Sequence, residues 1–141
     1  MSIIDYAQNW PVKIKEQLAS DLLKDKTVMI TGASDGIGAE LSKCLGLLGA
    51  NIILLGKTRQ KLEAVFDQIA PNCRGDLIIT PCDLSRLERE DIRKLHDSIE
   101  NEFKGLDALI HCASILGPKV PLAHYPPDAW AERSEEHTSE L

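Results

Sequence analysis

Short apolar runs alternate along the chain with longer stretches in which apolar residues return every three or four positions. The runs at 27–31, 51–55, 76–80 and 106–112 are rich in aliphatic and β-branched residues, which is typical of buried strands. Near-continuous apolar strands favour a parallel sheet that is covered on both faces. The alternation therefore predicts the order βαβαβαβ and an α/β fold.

Three amphipathic helices are predicted between these strands. Gly49 ends the first helix, Thr58 caps the start of the second, and the third occupies 91–103. Pro81 is expected to stop the third strand because proline cannot donate to a sheet. The apolar positions that recur at helical spacing are Ile37, Leu41, Leu45 and Leu48 in the first helix, Leu62, Val65, Phe66 and Ile69 in the second, and Ile92, Leu95, Ile99 and Phe103 on one face of the third.

The expected topology is a Rossmann-type, doubly wound parallel sheet that is truncated after the fourth strand, because crossovers between parallel strands are right-handed. We expect a lead-in segment at 1–25 and the dinucleotide-binding half of a domain at 26–132. Residues 133–141 are polar, have no periodicity and resemble the in-frame translation of a sequencing adapter, so we expect them to be foreign to the fold. The alternative is a genuine acidic tail or a divergent helix.

Composition narrows the class of protein. The chain has 141 residues, of which 43% are apolar and 27% charged, and this balance excludes a wholly disordered chain. The net charge of -6, with no basic stripe, argues against a nucleic-acid binder. No apolar run approaches the roughly 18 residues of a membrane span, and no signal peptide is predicted. The four cysteines lack metal-like spacing, so we expect no metal site and free thiols in a cytoplasmic protein.

The strongest candidate for chemistry is the segment 31–38, TGASDGIG, between a predicted strand and a predicted helix. Gly32 permits a tight turn, Gly36 lets a ligand approach the backbone, and Gly38 lets the helix pack on the sheet. Free N–H groups and the dipole at the start of the helix favour a pyrophosphate. The alternative is a glycine-rich turn that binds nothing.

The spacing G-x-x-x-G-x-G resembles the glycine motif of the short-chain dehydrogenase/reductase family, and the resemblance extends from about Leu22 to Trp130. It implies an oxidoreductase that transfers a hydride between a nicotinamide cofactor and a small carbonyl or alcohol substrate. It also implies a homo-oligomer for the complete protein. The cofactor contacts that we expect are Gly32, Ser34, Gly36, Ile37, Gly38, Lys57, Thr58, Asp83, Leu84 and Ala113.

One of the expected contacts, Asp83, has an ordinary structural alternative, and the segment around Ala113 departs from the family pattern. In the family, the residue at Asp83 contacts the adenine end of the cofactor, although Asp also commonly caps helices and turns. The segment 111–114, HCAS, stands where the family has Asn-Asn-Ala-Gly, and only Ala113 matches. His111 and Cys112 are neighbours on a strand, so their side chains should point to opposite faces and not form a catalytic pair.

The end of the second strand favours NADP over NAD. An NAD-preferring protein would have an Asp or Glu there for the ribose 2′-hydroxyl, whereas this chain has Lys57 after Gly56. Lys57 supplies a cation for a 2′-phosphate, and a hydrogen bond to a charged group contributes about 1.5–3 kcal/mol. Ser34 is expected to hold the same phosphate. The alternative is that Lys57 is a solvated surface charge.

The catalytic residues of the family do not occur in this chain. The family uses a Tyr-x-x-x-Lys pair with a Ser, but Trp10 follows Tyr6 by four positions and Ala129 follows Tyr125 by four. We therefore assign no catalytic residue and expect this chain to be inactive by itself. Two alternatives stay open: a non-catalytic module that senses dinucleotides, and a structural remnant that binds nothing.

Overall fold

The computed structural model describes residues 21–115 and 117–130, and it confirms the predicted α/β fold class. The predictions for residues 1–20 of the lead-in and for the tail at 133–141 lie outside the described residues. Two short 3-10 turns lie at Leu84–Arg86 and Leu122–His124. The strands and helices, in chain order, are β1 (Thr27–Thr31), α1 (Gly36–Leu47), β2 (Asn51–Gly56), α2 (Arg59–Ile69), β3 (Leu77–Pro81), α3 (Arg89–Phe103) and β4 (Ala108–His111).

All four strands are parallel, and their order in the sheet is β3-β2-β1-β4. The first described strand, β1, lies inside the sheet, β2 and β3 follow outward on one side of it, and β4 lies on its other side. In register, Thr31 lies opposite both Leu55 and His111, so the carboxyl ends of the strands lie side by side. The loops after the strands therefore meet at one edge, where folds of this kind bind ligands.

The core has two layers because β1 and β2 are buried on both faces. On one face, Ile30, Ile52 and Leu54 pack with Leu62 and other residues of α2. On the opposite face, Met29, Ile53 and Leu55 pack with Ile99 of α3. Burying one such side chain contributes about 1.5–3 kcal/mol, so the central strands form a rigid base for the loops above them.

The helix ends largely follow the sequence prediction. Helix α1 ends at Leu47, and Gly49 follows its cap in the left-handed region, with φ of 94°. Thr58 is the N-cap residue of α2 but makes no capping hydrogen bond with its side chain. On α3, Ile99 is buried as expected, whereas Ile92 is exposed.

The predicted bounds of β3 and β4 differ from those in the structure. Pro81 does not stop β3 but forms its last residue, in register with Gly56. Proline has no backbone N–H group, but β3 is at the edge of the described sheet, so Pro81 removes no hydrogen bond to a further strand. Strand β4 begins at Ala108, after Asp107, whose side chain is bonded to the start of β1. Asp107 Oδ2 accepts from the Thr27 N–H at 2.8 Å, and its Oδ1 accepts from Lys26 Nζ at 2.7 Å.

No helix among the described residues combines the length and apolar character that crossing a membrane requires.

Candidate functional site

A cleft of ≈ 570 Å³ lies at the carboxyl ends of the strands, between the loops that follow β1, β2, β3 and β4. Thr58 does not line the cleft, although it follows Lys57 directly. The other predicted contacts are brought together there, namely Gly32, Ser34, Gly36, Ile37, Gly38, Lys57, Asp83, Leu84 and Ala113.

Gly32 lies where the turn after β1 meets the turn after β4. Its φ is 65°, and a Cβ at this position would come within 2.6 Å of the Ala113 nitrogen. The close approach is fixed by Thr31, whose Oγ1 accepts from the N–H groups of Cys112 at 3.2 Å and Ala113 at 3.1 Å. Thr31 thus joins the two turns that form one wall of the cleft. Sequence analysis missed this role because it depends on a strand pairing between distant residues.

Gly36 and Gly38 have different surroundings. A Cβ on Gly38 would overlap the carbonyl group of Gly32, so a side chain there would push α1 away from the β1 turn. Gly36 has φ of 52° and borders the cleft, and a Cβ there would have no atom within 4 Å. The bare backbone at Gly36 is therefore not needed for internal packing, and it leaves room for a ligand.

The N-terminus of α1 opens into the cleft. Asp35 caps the helix, and its Oδ1 accepts from the Gly36 N–H at 2.7 Å. The N–H groups of Ile37 and Gly38 have no acceptor within the helix, because the first turn of any helix leaves them free. These groups and the helix dipole suit an anion. Ile37 is 80% exposed and adds an apolar wall, which suits a ligand that combines phosphate with rings.

The end of β2 forms the floor of the cleft. A Cβ on Gly56 would lie 3.4 Å from Ser34 Oγ, so the hydroxyl of Ser34 rests against the β2 backbone next to Lys57. The side chain of Lys57 is 73% exposed. Ser34 thus lies against the residue that precedes Lys57, and Ser34 and Lys57 both line the cleft.

Asp83 bridges the turns after β2 and β3. Its Oδ2 lies 3.0 Å from Lys57 Nζ, and its Oδ1 accepts from the Ser85 hydroxyl at 2.7 Å and from the Ser85 N–H at 3.2 Å. The hydrogen bonds from the Ser85 and Lys57 side chains lower the pKa of Asp83 to about 2. Asp83 therefore remains ionised at neutral pH, and it also caps the 3-10 turn at Leu84–Arg86.

Two thiols border the cleft without forming a nucleophile. Cys112 packs against the core on the α2 side, whereas His111 is exposed, so the two do not pair. Burial raises the pKa of Cys82, and Asp91 and Asp83 raise it further. A thiol with a raised pKa is mostly protonated at neutral pH and a weak nucleophile.

Comparison with known proteins gives one consistent family. The model of the short chain dehydrogenase family matches residues 26–135. The uncharacterized oxidoreductase YciK of Escherichia coli K12 is 33% identical over 116 residues, which cover 82% of this chain and 46% of YciK. An uncharacterized oxidoreductase of Listeria monocytogenes is 33% identical over 110 residues, or 78% of this chain and 43% of that protein. The chain thus spans less than half the length of these curated relatives.

Solved structures agree with the sequence matches. A short chain dehydrogenase from Salmonella enterica serovar Typhi superposes with a TM-score of 0.72 at 33% identity, covering 83% of this chain and 48% of that one. A proposed short chain dehydrogenase from Escherichia coli CFT073, complexed with NADPH, has a TM-score of 0.69 at 33% identity, covering 82% and 48%. The Shigella flexneri counterpart complexed with NADP has a TM-score of 0.69 at 32% identity, with coverage of 82% and 48%.

Proposed function

Because the chain belongs to the short-chain dehydrogenase family, we propose that its cleft binds NADP and forms the cofactor-binding part of an oxidoreductase. The observation that carries this proposal is the cleft at the carboxyl ends of the strands. It combines a helix N-terminus, a backbone at Gly36 with room for a ligand, and a cation at the end of β2. Two solved relatives complexed with NADP or NADPH support it.

The residues present fit the parts of this cofactor. The N–H groups at the start of α1 would hold the pyrophosphate, and Lys57 with Ser34 would hold the 2′-phosphate. Leu84 and Asp83 would line the adenine end, while the main chain at Ala113 would run along a sugar. The nicotinamide, when bound, supplies the hydride chemistry, and the protein supplies position and electrostatics.

The preference for NADP is proposed from charge at the end of β2. No carboxylate follows directly on Leu55, where NAD-binding proteins of this fold place one for the ribose 2′-hydroxyl. The residues there are Gly56, Lys57 and Thr58. A cation in this place favours a phosphate and has no acceptor for a free hydroxyl.

For the complete protein we propose hydride transfer to or from a carbonyl or alcohol carbon of a small substrate, in a cytoplasmic homo-oligomer. The 141-residue chain carries no Tyr-x-x-x-Lys sequence. We propose that it binds cofactor without turning substrate over. No observation on the described residues favours the sensing module over this reading.

Titration of the chain with NADPH and NADH, followed by the fluorescence of the reduced nicotinamide, tests the proposal. We expect saturable binding of NADPH that is about tenfold tighter than that of NADH, because one charge-assisted hydrogen bond contributes about 1.5 kcal/mol or more. Lys57→Ala should remove most of this difference and leave NADH binding unchanged. Equal affinity of the unaltered chain for the two cofactors, or no binding of either, would contradict the proposal.

A further inference from the structure

We infer that Arg86 is a second cation of the subsite for the 2′-phosphate, an inference that rests on the proposed binding of NADP. Arg86 is the last residue of the 3-10 turn after β3. Its Nε lies 3.9 Å from Asp83 Oδ2, and Lys57 Nζ lies 3.0 Å from the same oxygen. Two cations from different turns therefore share one carboxylate oxygen at the edge of the cleft.

The charges in this cluster explain why a second cation is needed. Asp83 remains ionised at neutral pH, because its pKa is lowered, and it neutralises the ammonium of Lys57. Lys57 and Asp83 together carry no net charge, so Asp83 reduces the preference that Lys57 alone would give for a group of about −1.5 to −2 charge. Arg86 raises the net charge of the cluster to +1. Arg86 lines the groove that adjoins the cleft at Asp83, and the further charged residues of this groove, Asp91 and Lys94, carry charges that cancel.

The side chain of Arg86 has donors available for a phosphate. It is 86% exposed, and its contact with Asp83 is long, at 3.9 Å from Nε. A guanidinium offers five N–H donors in a planar fork that fits phosphate oxygens in pairs. The backbone N–H of Arg86 donates to the Asp83 carbonyl at 3.0 Å, which fixes the turn from which the side chain extends.

The geometry also gives Asp83 a role beyond the adenine contact that the family resemblance implies. Both of its oxygens are engaged, Oδ1 by Ser85 and Oδ2 by Lys57. Asp83 is therefore a positioning residue that holds Lys57 and Arg86 at one edge of the cleft. Its effect on binding acts through these two cations.

Arg93 offers a matched control. Arg93 Nη1 lies 4.0 Å from the Oε2 atom of Glu90, which precedes it by three residues on α3. Arg86 likewise follows Asp83 by three residues, with 3.9 Å between Nε and Oδ2. The two arginines are similarly exposed, at 77% and 86%. Neither arginine lines the cleft itself, but Arg86 contacts Asp83, which does, whereas Arg93 pairs with Glu90 of its own helix. The removal of Arg93 therefore reports the general effect of losing one surface cation.

The test measures the dissociation constants of NADP and NAD by calorimetry for the unaltered chain and for Arg86→Ala, Arg86→Glu and Arg93→Ala. We expect Arg86→Ala to lower the preference for NADP about threefold to fivefold, which is the size of an exposed ion pair. Arg86→Glu should lower it further, and Arg93→Ala should leave it unchanged. NAD affinity should be the same in all four proteins.

The inference is overturned if Arg86→Ala changes both affinities equally, or if the NADP preference stays the same as in Arg93→Ala. It is also overturned if Arg86→Glu keeps a preference as large as that of Arg86→Ala. If the unaltered chain binds neither cofactor, the proposed function itself fails. These outcomes separate the failure of the inference from the failure of the function on which it rests.

Discussion

At the scale of single residues, Asp83 predicts how stability depends on pH. Its folded pKa of about 2 is below the ordinary value of 3.8, so it stabilises the fold above pH 4. This contribution is lost as the pH falls from about 4 to 2, because protonation breaks the contacts with Lys57 and Ser85. We expect Asp83→Asn to lower the free energy of unfolding at pH 6 and to have a smaller effect at pH 3, as measured by urea denaturation.

Asp67→Asn is the control for this experiment. Asp67 is an exposed residue of α2 and makes no ion pair among the described residues, so its replacement reports the general effect of removing one negative charge. The residue-scale argument fails if the effect of Asp83→Asn is the same at both pH values after the effect of Asp67→Asn has been subtracted.

At the scale of elements, the glycines of the β1–α1 turn should separate stability from binding. Gly32→Ala places a Cβ within 2.6 Å of the Ala113 backbone and also keeps an unfavourable φ of 65°. Gly36→Ala meets only the φ penalty, of about 1–2 kcal/mol, because the space around it is open. Chemical denaturation should show a loss of about 3 kcal/mol or more for Gly32→Ala. Gly36→Ala should instead lose cofactor binding.

Both proteins must be measured in both assays. A loss of stability that is equal in Gly32→Ala and Gly36→Ala would mean that the contact with the β4 turn is not rigid. Unchanged NADPH binding by Gly36→Ala would mean that the ligand does not approach the backbone at this position.

The elements also show what the sequence can predict. The bounds of β1 and the start of β2 were predicted correctly, because a strand buried on both faces needs an unbroken apolar run. The glycine turn between β1 and α1 was also predicted at the right place, because the spacing of its glycines lies within one short segment. The position of Pro81 relative to β3 was predicted wrongly, and no role was predicted for Thr31 or Arg86. These roles depend on strand order or on a turn that brings distant residues together. Patterns within one segment do not contain that information.

At the scale of the whole molecule, β4 forms an exposed edge in the part of the sheet that the structure describes. Leu109 on this strand is 46% exposed, and Leu106 before it is 39% exposed. Leu109 is in register with Met29, so it extends the apolar face that α3 covers elsewhere. An apolar edge strand can pair with another chain, which leads to association.

We therefore expect the chain to self-associate as its concentration rises, and Leu109→Lys to reduce this association by placing a charge on the edge. Sedimentation velocity over a hundredfold range of concentration measures the effect. Ile92→Lys is the matched control, because Ile92 is 54% exposed on α3 and does not belong to the edge. An equal reduction of association by both variants would point to general charge repulsion. An unaltered chain that stays monomeric would show that the edge of β4 is already protected. Only a selective effect of Leu109→Lys assigns the association to β4.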